Sequence, residues 1–554
     1  MSVWSTIASR LKEILKTMIG TRTIAKTLHV APMISSQMEH AIEDWSNMYI
    51  DRAPWIKEPT RENPVRVASL GLPAMIASEK ARTALIEWQS EITTPIEKKE
   101  VPNENYSDET EPDVFGNLIP SLEPKTKIIE QPKTSTARAE YLNAEYEKLK
   151  ENLREQLEYA IAKGGMVIKP YPVKVQSLTG EDKYTLEFDF IQADCFYPLA
   201  FNASKQITEA AFLEVKSDKD IIYYRLEYHK WDGLTVTIIN KAFKTENTAT
   251  QTSAGITGVD LGHEIALSEV PEWSALQPTV KVDNVEKPLF AYFKMPESNT
   301  IDTKSPLGVS GYSRARNLIK DADMQYSRML WEYEAGEMAI DIDRDALQFL
   351  EGGVDRNGKQ HGGSVLNNLQ ARLYRKVDLG ESNTFVTHAP ALRDSSFITG
   401  LNTILMRIED VCAISRGTLS DASQEARTAT ELKILKQRSY QANVDIQTAL
   451  EKTLRNVVYI MNVYCSLYKI TPEGEYDVSF EWDDSIIVDV EQELNKRLAL
   501  QQNGLASKLE TRMWYFGETE RQAEEALMRV EEENRKSMES DLILQSNLNR
   551  GGEE

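Results

Sequence analysis

The run Gly353-Val354-Asp355-Arg356-Asn357-Gly358-Lys359 fits the first seven positions of a phosphate-binding loop, where backbone N–H groups cradle phosphates and a lysine reaches them. The next position should be Ser or Thr to ligate magnesium, but it is Gln360. His361-Gly362-Gly363 is a poor start for the helix whose N-terminus would hold the phosphates. Asn357-Gly358 is a hairpin-turn signal by itself, so the run reads as a turn and not as an ATPase loop.

A second run, Trp482-Asp483-Asp484-Ser485 with Asp489 nearby, has the carboxylates to hold a divalent cation. Such runs at a strand end also serve as caps and solvated turns. Ser310 lies between Gly308 and Gly311, which is not the spacing of a nucleophile elbow. The histidines at 29, 40, 229, 263, 361 and 388 form no metal-binding pair of the HExxH kind. No nucleophile–base pair emerges. The reading is therefore no catalytic residue, no cofactor and no metal.

Basic residues offer more. Arg427, Lys433, Lys436 and Arg438 cluster at the end of a polar, small-residue stretch that Arg416 opens, inside an otherwise acidic chain. They form either a solvated helix face paired with Glu425 and Glu431, or a surface close to a polyanion.

The elements that must position these residues alternate in kind along the chain. Met33–Tyr49 and Pro73–Glu91 read as helices, with Ser35 or Ser36 as cap of the first. Residues 96–136 are rich in Pro, Asn, Thr and charge, and read as a linker or long loop. A helix from 138 to about 163 stops at Gly164-Gly165. Residues 166–295 are β-branched and aromatic, with turns at Thr179-Gly180 and Asp232-Gly233, and predict an antiparallel sheet. Helices follow at 308–338, with Leu318, Ala322, Met329 and Tyr333 on one face, and at 391–415, with Phe397, Leu401, Leu405, Ile408 and Cys412. Between them lies a glycine-punctuated insertion, 341–388. A helix of about forty residues then runs to Tyr468, striped by Leu450, Leu454, Val457, Met461 and Cys465, before a short strand and acidic helices. The fold class expected is α+β, mainly α.

Composition bounds the function. With 41% hydrophobic residues across 554, the chain can bury a sizeable core in several domains. No run reaches the roughly 18 apolar residues of a membrane span. The most apolar window, Val457–Tyr468, contains Asn462 and Ser466. The amphipathic stretch at residues 7–19 lacks the continuous apolar core of a secretory signal and reads as a helix docked on a partner or on the body, with a membrane-surface helix as the lesser reading. Cys195, Cys412 and Cys465 are too scattered for a disulfide framework, which suits a reducing compartment such as a cytoplasm. A net charge of −22 opposes tight phosphate binding, excluding a repressor or nuclease surface but not a channel through which DNA slides.

The order of several blocks resembles the portal proteins of long-tailed phages infecting Gram-positive bacteria. These are Met38–Tyr49 with Ala68–Glu79; Gly164–Tyr171 with Asp189–Pro198; Pro288–Pro296 leading into Ser305–Tyr312; Leu392–Gly417 with Thr428–Glu431; and Phe480–Ser485 with Asp489. They span most of residues 33–530, and their shared order carries the weight.

The resemblance implies a dodecameric ring with wing, stem, clip and crown regions around a tunnel. By that analogy the wing is 1–300, with 96–136 linker-like; the first stem helix is 301–340, the clip 341–388 and the second stem helix 389–416. The tunnel loop is then 417–430, a long wing/crown helix 431–475, and crown with C-terminal tail 476–554. Arg416, Arg427, Lys433, Lys436 and Arg438 become candidates to face DNA, and Asp355, Arg356, Asn357, Gly358 and Lys359 a clip tip that meets partners. Implied partners are double-stranded DNA bound without sequence specificity, terminase, scaffold, major capsid and neck or adaptor proteins, and no membrane. The implied place is a capsid vertex of the virion, assembled in the host cytoplasm. Two rivals stand beside this reading: another capsid or neck assembly protein, and a metal-dependent nucleic-acid enzyme using Asp483, Asp484 and Asp489.

Overall fold

The computed structural model describes residues 27–28, 33–58, 66–86, 88–102, 111–112, 118–119, 126–176, 182–218, 221–246, 261–343, 374–377, 385–421, 429–482, 490–518 and 522–530. The chain divides into two compact units, residues 1–482 and 483–554.

In the first unit, helix α1 (Ser36–Tyr49) begins where the Ser35 side chain accepts the Met38 N–H at 3.3 Å, and buries Met38, Ile42, Trp45 and Met48. Helix α2 (Leu72–Ala84) has Pro73 in its first turn. It stops well short of the expected Glu91, because Trp88–Thr93 forms strand β1, paired antiparallel with β18 (Asp477–Trp482). That partner lies almost 400 residues away, so local helical spacing could not anticipate it.

The segment read as a linker also differs. Strands β2 (Ile96–Pro102) and β5 (Thr126–Pro132) pair in antiparallel register, and β3 (Glu111–Pro112) pairs with β4 (Leu118–Ile119), both between them in sequence. Polar and proline-rich residues hid this hairpin, since no alternating apolar face marks it.

Helix α3 (Ala137–Lys163) buries Leu142, Tyr146, Leu149, Leu153, Leu157 and Ile161 at helical spacing. It ends at Gly164, whose φ of 96° favours glycine and whose missing Cβ leaves room for the Gly308 carbonyl. Then β6 (Gly165–Gln176) pairs with β7 (Asp182–Gln192) and β14 (Ala291–Lys294) in one sheet. A second sheet holds β8 (Phe196–Phe201), β9 (Ile207–Asp218), β10 (Ile221–Trp231), β11 (Thr235–Glu246) and β12 (His263–Ile265) in sequence order, with β13 (Thr279–Asp283) also on β11. The predicted antiparallel sheet region is thus present, with Gly233 at φ 107° in the expected turn. The Thr179-Gly180 turn lies outside the described residues.

The long helix α6 (Ala429–Leu467) buries its predicted stripe, Leu450, Leu454, Val457, Met461 and Cys465, in the same core as α3. Arg138, itself 1% exposed, ties the two helices. Its guanidinium donates to the Pro472, Thr471 and Asn462 carbonyls, the Asn462 side chain and Ser466 Oγ, so carbonyls at and beyond the end of α6 find donors.

In the second unit, α7 (Val490–Gln502) precedes α8 (Lys508–Phe516). Helix α8 starts in a reciprocal capping box between Ser507 and Glu510, and Arg497 lies over the Trp514 ring at 4.5 Å.

Candidate nucleic-acid interface

Two helices frame the insertion, as expected, although each is shorter than its sequence pattern. Helix α4 (Arg316–Ala335) and helix α5 (Asp394–Cys412) pack as an antiparallel pair. Gly400 faces Gln325, and Gly336 sits so close to Leu392 that a Cβ there would clash. The buried residues of α4 are Ile319, Ala322, Asp323 and Glu332; the expected Tyr333 is 38% exposed. Of the stripe expected on α5, Ile408 and Cys412 are buried, Leu401 and Leu405 are partly buried against the same core, and Phe397 is half-buried.

At the far end, β15 (Ala339–Asp343) leaves α4 and β17 (Phe385–His388) returns to α5, paired antiparallel; β16 (Tyr374–Val377) adds a parallel edge to β15. At the near end, α4 is fixed to α1 and to the segment between α1 and α2. Asp323, buried, accepts Trp55 Nε1 at 2.8 Å and the Leu70 N–H at 2.9 Å, and burial pushes its carboxyl pKa up. Arg316 pairs with Asp44 and lies over the Trp55 ring.

The chain reverses where α5 ends. Ala413 adopts φ 53°, a left-handed conformation unusual for alanine, and the Ile414 N–H closes on the Glu409 carbonyl at 3.0 Å. The fully buried Glu409 carboxylate then accepts the Leu419 N–H at 2.6 Å, the Ser420 N–H at 2.9 Å and Ser420 Oγ at 2.7 Å. Asn402 Oδ1 accepts the Asp421 N–H at 2.8 Å. Residues 413–421 therefore lie back along α5.

This reversal brings Arg416 to Asp410, with Nε at 3.1 Å and Nη2 at 2.8 Å from the two carboxylate oxygens. Arg438, from α6, approaches the same carboxylate at 3.6 Å, and Arg407, one turn earlier on α5, at 3.9 Å. The Arg416 hydrogen bonds, aided by the charges of Arg438 and Arg407, hold the Asp410 carboxyl below the usual range.

Of the five candidate basic residues, the fold thus joins Arg416 and Arg438. Lys433 and Lys436 lie on the first turns of α6, and Arg427 lies outside the described residues. Asp355–Lys359, the rest of the phosphate-loop look-alike, and Asp483, Asp484 and Asp489 also lie outside them. Arg407 and Asp410 escaped the sequence reading; their spacing of three on a helix was the available signal. Among the described residues, no group of three or more His, Cys, Asp or Glu is placed to hold a metal ion. No described helix is long and apolar enough to cross a membrane.

The family model described as phage portal protein, SPP1 Gp6-like, matches residues 133–539, well over half of the chain. No curated protein matches the sequence.

Proposed function

The chain belongs to the SPP1 Gp6-like family of phage portal proteins, and from that premise we propose that it closes into a dodecameric ring at one capsid vertex, through which double-stranded DNA is packaged and ejected. Membership implies a homo-oligomeric ring, a place in the virion and phage-assembly partners. In the finer reading, α4 and α5 are the stem helices and the sheet between them belongs to the clip. The turn after α5 opens the tunnel loop, the elements before α4 form the wing, and residues after the long helix form the crown. Terminase, scaffold, major capsid and neck proteins dock on this ring.

The observation that carries the reading is the helix–sheet–helix element itself. Its outer surface leaves Trp331 at 63%, Met338 at 53% and Ile398 at 45% exposed. Apolar side chains of this size on the paired helices and just beyond α4 suit a neighbouring copy, which buries them when the ring closes through heterologous contacts.

Charge suits a conduit. A dozen copies at −22 each sum to a few hundred negative units, which keeps the duplex off most of the wall. Weak binding is useful here, because every tight phosphate contact would slow the passing strand. The protein acts as passage and gasket, with ATP hydrolysis belonging to a separate motor.

Light scattering of the purified protein, with negative-stain images of the same peak, tests this. A species of about a dozen subunits with a central hole is expected. A chain that stays monomeric at high concentration and with scaffold would overturn the ring and favour a different capsid or neck role.

A further inference from the structure

Arg407, Arg416 and Arg438 come from separate stretches of chain, the last turns of α5, the reversal after it and α6, and all converge on Asp410. Their contacts are unequal. Arg416 binds the carboxylate through two hydrogen bonds. Arg438 reaches it only at 3.6 Å, with a long contact of 3.5 Å from Nη1 to the Asp410 carbonyl, and Arg407 only at 3.9 Å. The Arg407 and Arg438 side chains are 70% and 66% exposed, whereas Asp410 is 23% exposed. Arg416 is therefore engaged within the chain, while the other two guanidinium groups keep accessible N–H donors.

Three cations surround Asp410, and with the buried Glu409 carboxylate also acting on Arg416, positive charge still outnumbers negative among the described groups at this point of a chain whose net charge is −22. A planar guanidinium fork matches two phosphate oxygens as well as it matches a carboxylate. An exposed ion pair at more than 3.5 Å is weak and readily exchanges its partner. The Asp410 carboxylate thus cancels part of the charge that would attract a phosphate.

We propose that Arg407 and Arg438, positioned by Asp410 and Arg416, form a phosphodiester-binding site, and that the Asp410 carboxylate sets how weakly the backbone of duplex DNA is held there. The proposal rests on the conduit reading above. Without Asp410 the same three arginines, repeated around a ring, would bind each passing phosphate strongly and act as a brake. With it, the cluster touches the duplex and lets go. The two arginines that the sequence singled out and the fold joins thereby take different roles: Arg438 contacts, Arg416 positions.

The test compares assembled rings of the wild type, Asp410→Asn, Arg407→Gln/Arg438→Gln and the triple variant, each confirmed by mass. Anisotropy of a labelled linear mixed-sequence duplex is followed between about 50 and 200 mM salt. Asp410→Asn should tighten binding several-fold at the lower salt and steepen its salt dependence. The triple variant should lose that gain. The double variant should bind more weakly than wild type, with a salt slope smaller by about one for each phosphate that is no longer neutralised.

An Asp410→Asn ring with unchanged or weaker affinity overturns the proposal. If that variant fails to assemble, the double variant decides, and wild-type affinity and slope in it overturn the proposal equally. Failure of the wild type to form a ring is a separate result that removes the conduit reading. The same titration on the free subunits then still asks whether Asp410 restrains phosphate binding.

Discussion

Glu332 and Arg393 close the α4–α5 pair at the end where the small sheet begins. Arg393 Nε donates to Glu332 Oε1 at 2.9 Å and Nη2 to Oε2 at 2.6 Å. The guanidinium also lies over the Phe397 ring at 5.6 Å. Two parallel bonds fix the angle between the helices as well as their distance, which a single-point contact would not do. Strand β15 begins at Ala339, shortly after Glu332, and β17 ends at His388, shortly before Arg393, so the fork sets the root from which the sheet projects.

The hydrogen bonds from Arg393 hold the Glu332 carboxyl below the usual range. A depressed carboxyl contributes stability that is fully present above the unfolded value of about 4.3 and is lost as pH falls through the folded value. Glu332→Gln should therefore melt lower than wild type at pH 7, and the gap should shrink as pH falls below about 4.3. Amides of β15 and β17 should exchange faster in the variant, while those of β10 stay unchanged. A melting gap as large at pH 3 as at pH 7 would count against a role for the ionised pair.

How much of this was legible in the sequence depends on the range over which each feature is determined. Leu450, Leu454, Val457, Met461 and Cys465 repeat at helical spacing, and all are buried as that spacing demands. Residues 221–231 declared a strand through β-branched and aromatic content. Trp88 looked helical because its strand exists only through pairing with Trp482. The Arg416–Asp410 contact was hidden for a similar reason, since it needs the chain reversal at Ala413, and nothing in the residue type announces a left-handed alanine. Basic residues after a polar loop could be recognised as a group, but which of them is engaged and which is accessible is a tertiary property.

A pH dependence should also arise in the second sheet. His229, 1% exposed, sits edge-on to Phe212 and Phe290, with Nε2 at 2.6 Å from Glu227 Oε1; Lys169 and Arg225 bind the other Glu227 oxygen. Burial lowers the His229 pKa despite the nearby carboxylate. The unfolded chain then takes up a proton first as pH falls below about 6.5, and stability declines from there, by at most about 1.4 kcal/mol per pH unit for one group. Burial pushes the Glu227 carboxyl up, but Lys169, His229 and Arg225 outweigh it and hold it well below its ordinary value, so its own loss begins only below about pH 4.3. Urea midpoints between pH 7.5 and 4.5 should fall more steeply for wild type than for His229→Gln. Equal slopes would show that another group carries the titration.

Trp331 separates folding from assembly. At 63% exposure it buries little within its own subunit, so Trp331→Lys should change subunit stability by no more than about 0.5 kcal/mol. In a ring, the same side chain would be among the largest apolar groups facing a neighbour. Buried tryptophans of that kind contribute about 2 kcal/mol or more to association, roughly thirtyfold in a dissociation constant at each interface. Replacing it with a lysine adds the cost of desolvating a charge in a chain that already repels its copies. Ile398→Asp on the partner helix probes the same surface from α5 and adds a negative charge. Both variants should keep the wild-type melting curve as free subunits yet fail to form rings at concentrations where the wild type does, as read by analytical ultracentrifugation. Rings of undiminished stability in both would place the subunit contact elsewhere on the molecule; lowered melting temperatures in the free subunits would instead show that these side chains pack within one chain.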